Sequence, residues 1–190
     1  MHVTFEERPA LHGMRIAIVT LDAAQQLNAL SLPMIDALLD QLGRWANEPA
    51  VACVLLRGNG AKAFCAGGDL HSLYQSMLAY RQAGHADIRQ NAYAAEFFDV
   101  EYRVDYLIHA YAKPILCWGH GIVMGGGMGI SQGASVRVVT ERTKMAMPET
   151  NIGLFPDVGG GHFLGSCPGR VGEYMALTGH VIGGAQAVAW

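Results

Sequence analysis

Short β-branched runs alternate along this chain with stretches whose apolar residues recur every three or four positions. RIAIVTL, residues 15–21, predicts a strand. After NALS, Ser31 can cap a helix and Pro33 suits its first turn; Met34, Ile35, Leu38, Leu39, Leu42 and Trp45 follow at helical spacing until Pro49. VACVLL, residues 51–56, predicts a buried strand. Asp69 then caps a second helix with Leu70, Leu73, Tyr74, Met77 and Leu78 on one face. Residues 79–87 are polar and predict a linker. A third helix is expected over about 89–111, with Phe97, Val100, Val104, Leu107, Ile108 and Tyr111 on its apolar face and Lys113-Pro114 as its stop. ILCW (115–118), VRVVT (136–140) and KMAM (144–147) predict further short strands, and residues 170–178 a short helix. GHVIGGAQAVAW opens another turn and helix, where the sequence stops; a C-terminal helical part is expected beyond it. Strands alternating with helices predict an α/β fold, with a strand, glycine turn, helix unit recurring loosely after residues 20, 56 and 118.

Composition narrows the function. Apolar residues make up 51% of 190 and charged residues 15%, against a usual charged share of about 25%. With 24 glycines this predicts a packed domain with many tight turns. The net charge is −3 and no basic stripe occurs, which argues against a nucleic-acid partner. No apolar run reaches the ~18 residues of a membrane span, and residues 1–21 carry acids early, without a secretory pattern; a cytoplasmic location is the expectation. Cys53, Cys65, Cys117 and Cys167 form no CxxC pair and are expected to be reduced. No metal-ligand spacing appears, so no metal site is expected.

Two glycine turns and two acids carry the candidate chemistry. FCAGGDL, 64–70, places small residues directly before the capped helix, and GHGIVMGGGMGI, 119–130, places glycines before a second helix start. Each turn exposes backbone N–H groups at a helix N-terminus, and two such turns can aim two donors at one oxygen, as an oxyanion hole does. Glycine clusters also serve plain helix–strand packing. A dinucleotide fingerprint at Gly58, Gly60 and Ala63 ranks lower, because no helix opens there and no strand ends in an acid about 20 residues on. In MPETNIGLFPDVGGG, 147–161, Glu149 and Asp157 stand almost alone among apolar residues, glycine and proline. A carboxylate in an apolar cleft has a raised pKa and a poorly solvated lone pair, as a catalytic group needs. Capping a turn or pairing with an arginine is the alternative role, and residue chemistry alone leaves both open.

LNALS, KAFCAGGDL, KPILCWGHGIVMGGGMGI and MPETNIGLFPDVGGG together resemble the crotonase (enoyl-CoA hydratase/isomerase) superfamily, and within it most closely the 3-hydroxyisobutyryl-CoA hydrolases, from about residue 14 to the end. The resemblance implies a spiral of ββα units over residues 1–190 that binds acyl-CoA, with the thioester carbonyl between two N–H groups. By motif position these belong to Ala66, or its neighbour Gly67, and to Gly126. Catalysis falls to Glu149 and Asp157; Asn28, Ala29, Leu30, Lys62, Gly68, Asp69 and Gly125 are the implied substrate contacts, and Lys62 and Arg57 can meet the CoA phosphates. Hydratases of this superfamily carry two glutamates. One stands where this chain has Gly129, and the other corresponds to Glu149. Asp157 takes a place where they usually have glycine. That pattern implies thioester hydrolysis of a 3-hydroxyacyl-CoA, with no cofactor beyond the CoA of the substrate. Hydration or isomerisation, and CoA binding without turnover, are the competing readings. Relatives of this kind are commonly trimers or pairs of trimers, so a homo-oligomer is expected.

Overall fold

The computed structural model describes residues 2–190. Its strands are β1 (Val3–Pro9), β2 (Arg15–Leu21), β3 (Val51–Gly58), β4 (Ala63–Cys65), β5 (Ile115–Gly119), β6 (Ile122–Met124), β7 (Val136–Val139), β8 (Lys144–Ala146) and β9 (Ile182–Gly183). They form one sheet of order β1-β2-β3-β5-β7 and a smaller one of order β4-β6-β8-β9. Only the first pair of the large sheet and the last pair of the small one are antiparallel. The helices are α1 (Leu32–Ala46), α2 (Leu70–Gln82), α3 (Ala92–His109), α4 (Gly126–Gln132), α5 (Gly160–Gly165), α6 (Val171–Thr178) and α7 (Gly184–Ala189).

The repeating unit is two strands and a helix. β3 lies in the large sheet, β4 in the small one, and α2 follows; β5, β6 and α4 repeat the pattern, and β7 and β8 begin it again. Because β4, β6 and β8 are parallel neighbours, the turns that leave them emerge side by side at one end of the small sheet. That is the α/β spiral of ββα units that the resemblance implies. The core lies between the sheets and helices α1 and α3, with Met34, Leu38, Leu42, Val54, Phe64 and Phe97 buried in it.

Several expectations hold closely. β2 has the predicted bounds, and Asp69 caps α2 by accepting from the Ser72 N–H at 3.1 Å. Others need correction. Of the apolar face assigned to α2 only Leu73 is buried, while Leu70, Tyr74 and Leu78 are exposed. α2 runs on through Gln82, four residues into the predicted linker, before Gly84 turns the chain at φ +86°. The two three-residue strands β4 and β6 lie inside segments read as glycine turns, too short for alternation to appear. β1 and α5 carry no prediction at all. All four cysteines are free thiols; Cys65 and Cys117 are buried, and Cys53 and Cys167 half-buried.

Candidate active site

The turns after β4 and β6 touch. Gly67 has φ +111°, and a side-chain carbon added there would lie 3.2 Å from the Met124 carbonyl oxygen and 3.5 Å from the Gly126 nitrogen. A carbon added at Gly126 would lie 3.4 Å from the Gly68 nitrogen and collide with the Glu101 carboxyl. Only main chain fits where the two turns meet.

Hydrogen-bond accounting fixes which N–H groups are free. The Ala66 N–H, expected to be an oxyanion donor, donates to the Leu27 carbonyl at 3.0 Å and is committed to the fold. Asp69 N–H donates to Leu30 O at 2.8 Å, and Gly67 N–H faces the Cys65 thiol at 3.4 Å. The Gly68 and Gly126 N–H groups donate to no acceptor among the described residues. Gly68 therefore replaces Ala66 as the free donor of the first turn, while Gly126, the first residue of α4, has the unused N–H of a helix start.

The acids arrive from two directions. Glu149 opens a short 3-10 turn, Glu149–Ile152, directly after β8 and Pro148. It is 7% exposed, and its Oε2 has no hydrogen-bond partner among the described residues. A carbon added at Gly125 would lie 3.0 Å from Glu149 Oε1, so this carboxyl rests against the second glycine turn. Burial raises its pKa, and Asp157 adds to the rise. Asp157 is half-buried and accepts from the Tyr102 hydroxyl at 2.7 Å on Oδ2. The next residue, Val158, has φ +43°, a strained conformation for a β-branched side chain and one that concentrates at functional sites.

Two further acids escaped the sequence reading. Glu101 and Asp105 lie one turn apart on α3, both buried. Burial first, then the neighbouring carboxylates, push Glu101 up to about 8 and Asp105 up to about 9. The signal was present: Phe97, Val100, Glu101, Val104, Asp105 and Ile108 form one helical stripe, and an acid inside an apolar stripe needs a reason to be there.

The glycine turns, Glu101, Glu149, Asp157 and the apolar side chains of α2 and α3 enclose a cleft of about 180 Å³. A cavity of about 620 Å³ adjoins it, sharing Asp157 and Val158 and lined also by Asp105 and Gly129. Among the described residues, no lysine or arginine lines either space. The remaining implied contacts mostly serve the fold. Asn28 is fully buried: its Oδ1 accepts from Ala23 N–H at 2.9 Å, and its amide donates to Asn59 O at 3.0 Å and Ala63 O at 2.9 Å. Leu30 is buried and bonds through its backbone to Gly67 and Asp69. Asp69 is occupied as the α2 cap, and Arg57 is held by Thr20 at 2.9 Å. Ala29 is half-buried, outside the cleft lining, and Lys62 is exposed. Asn28→Ala leaves two buried partners, the Ala23 N–H and the Ala63 carbonyl, and the carbonyl of exposed Asn59 without their hydrogen bonds, and is expected to destabilise the chain by about 2–4 kcal/mol, read from the urea midpoint. A loss below about 0.5 kcal/mol would contradict this structural role.

A sequence profile described as enoyl-CoA hydratase/isomerase matches residues 16–190. A mitochondrial 3-hydroxyisobutyryl-CoA hydrolase of Xenopus tropicalis is 46% identical over 169 residues, which is 89% of this chain and 41% of that protein. The human protein of that name is 42% identical over 85% of this chain and 39% of its own length. The chain thus spans about two-fifths of the curated relatives it matches, and their mitochondrial names do not support the cytoplasmic expectation. Among solved structures, a carnitinyl-CoA dehydratase from Mycobacterium thermoresistibile superposes with a TM-score of 0.87 at 38% identity, over 98% of this chain and 51% of that one. An enoyl-CoA hydratase from Rhodobacter sphaeroides 2.4.1 gives 0.84 at 36% identity, over 97% and 51%.

Proposed function

Because this chain belongs to the enoyl-CoA hydratase/isomerase, or crotonase, family, we propose that its cleft hydrolyses the thioester of a 3-hydroxyacyl-CoA such as 3-hydroxyisobutyryl-CoA. The observation that carries this reading is the meeting of two unused backbone N–H groups with a buried, partly unpartnered carboxylate. The Gly68 and Gly126 N–H groups take the thioester oxygen, which gains negative charge as the carbonyl carbon becomes tetrahedral. Glu149 accepts a proton from water, whose oxygen bonds to that carbon. The C–S bond then breaks, and the proton on Glu149 passes to the departing thiolate. Direct attack by Glu149, through a mixed anhydride that water then opens, is the alternative for the same residue; label entering the Glu149 carboxyl in a single turnover in ¹⁸O water identifies that route. Asp157, held by Tyr102, positions the water or the β-hydroxyl. Coenzyme A enters as part of the substrate, and exposed Lys62 is a cation that can meet its phosphates.

Two observations favour hydrolysis over hydration. The curated relatives are named hydrolases. A side-chain carbon on Gly129 would also meet Asp105 Oδ1 at 2.7 Å and Val158 Cβ at 2.6 Å, so the second glutamate of a hydratase has no room here. Gly129→Glu is therefore expected to lower stability without adding water to crotonyl-CoA; gain of hydration at unchanged stability would contradict the reading. Hydration or dehydration stays as a second reading because the similar solved structures are of an enoyl-CoA hydratase and a carnitinyl-CoA dehydratase.

The deciding experiment compares free-thiol release from 3-hydroxyisobutyryl-CoA with consumption of crotonyl-CoA. Thiol release supports hydrolysis. Crotonyl-CoA consumption without thiol supports the second reading, and CoA binding with neither makes this chain a binding module. Exposed Ile152, Leu154 and Phe155 beside the cleft favour association of copies; the trimer or pair of trimers is what the family implies, and sedimentation measures it.

A further inference from the structure

The small cleft and the larger cavity share their walls in an ordered way. α3 gives Glu101 to the cleft and Tyr102 and Asp105 to the cavity. α4 gives Gly126 to the cleft and Gly129, one turn on, to the cavity. The segment before α5 gives Leu154 to the cleft and Phe155 to the cavity. Among the described residues only Asp157 and Val158 line both spaces. The Asp157 carboxylate is drawn to Tyr102, whose hydroxyl donates to its Oδ2 at 2.7 Å. Val158 is 4% exposed and seated against α4, since a side-chain carbon added at Gly129 would lie 2.6 Å from its Cβ. Its isopropyl group is therefore the apolar part of the partition.

The backbone at this position suits glycine better than valine. Val158 has φ +43°, which glycine adopts freely and a β-branched residue does not, and Gly159, Gly160 and Gly161 follow it. A valine kept in that conformation is held there by its surroundings, and such strain concentrates where a side chain has a task. We propose that Val158 is a specificity-determining residue for acyl length: its side chain closes the cleft of about 180 Å³ behind a short branched acyl group and bars a longer chain from the cavity of about 620 Å³. Beyond Val158 the wall is largely glycine backbone with tyrosine and phenylalanine rings, a lining that suits an aliphatic chain. Cutting Val158 back joins the two spaces and admits that chain. The inference rests on the reading of the cleft as the acyl site and adds to it a limit on acyl size.

The test compares wild type with Val158→Gly and Val158→Ala, using thiol release from 3-hydroxyisobutyryl-CoA and from 3-hydroxyoctanoyl-CoA. Wild type prefers the short substrate. V158G raises the ratio of kcat/KM for the long substrate to that for the short one by about tenfold or more, the least that a methylene's worth of room in an apolar pocket decides. V158A raises the ratio less, because its Cβ still sits against Gly129. Glycine relieves the positive φ while losing the isopropyl contacts; should V158G fail to fold, V158A carries the comparison. A residue that only packs would slow both substrates alike and leave the ratio where it was. An unchanged ratio in the folded variants, or a wild type that takes both substrates equally well, would overturn the proposal. Calorimetric titration with S-butyl-CoA and S-octyl-CoA, thioethers that water cannot cleave, reads length selection without turnover. A gain in octyl over butyl affinity in V158G supports the proposal, and the same affinity ratio in V158G and wild type overturns it. If wild type releases no thiol from either substrate, the hydrolase reading fails while the titration still judges Val158.

Discussion

Glu149→Gln should lower thiol release from a 3-hydroxyacyl-CoA by about 10²–10⁴-fold, the usual contribution of a positioned general base. The substitution keeps the volume of the side chain and removes only its basicity. Glu149 sits against the second glycine turn with Oε2 unpartnered, so no ion pair is lost. Its pKa is raised by burial, which means that folding costs the charged form more than the neutral one. The amide should therefore fold at least as stably as wild type once the pH exceeds the ordinary glutamate value. CoA affinity should persist, because the turns and α2 do not depend on this charge. The same raised pKa places the acid limb of wild-type kcat/KM above the ordinary glutamate range, with activity rising as Glu149 ionises. Near-wild-type turnover in E149Q would remove Glu149 from the mechanism.

Gly126→Ala is the second large effect: the backbone N–H stays, but a methyl beside it keeps the thioester oxygen from reaching it, which is expected to cost up to about 10²–10³-fold in kcat, the typical worth of one oxyanion donor. The added methyl runs into the Glu101 carboxyl and comes within 3.4 Å of both the Gly68 nitrogen and Leu30 Cδ1. The Glu101 side chain is long enough to swing away, and alanine suits a helix start better than glycine does, so stability should change by only about 1 kcal/mol. The loss is then one of function: the methyl crowds the space between the two donors. One residue later the balance reverses. At Gly127 an added carbon collides with the Cys65 backbone carbonyl, which cannot move without β4, so that position is read as a folding requirement. Full activity in G126A would place the oxyanion elsewhere.

Much of this architecture could be read from local pattern. RIAIVTL carries its strand, Asp69 its helix cap, and the two glycine turns their approach to one another. What stayed hidden depends on partners distant in sequence. Ala66 and Gly68 look equivalent in FCAGGDL until Leu27 claims the Ala66 N–H. Asn28 looks like a ligand contact until its three hydrogen bonds tie the β3–β4 connection to the preceding loop. Glu101 and Asp105 were obscured by the apolar residues that surround them on α3. Gly129 was legible as a missing glutamate, but the filling of its space by Asp105 and Val158 was not.

The most direct measurement is the thioester carbonyl stretch of 3-hydroxyisobutyryl-CoA, ¹³C-labelled at that carbon and bound to E149Q, where turnover is stopped. Two N–H donors on one oxygen polarise the carbonyl, so the band should move to lower frequency on binding and return most of the way in E149Q/G126A. A substrate that binds with its carbonyl band unmoved from the value in water would contradict the convergence of Gly68 and Gly126 on the reacting oxygen.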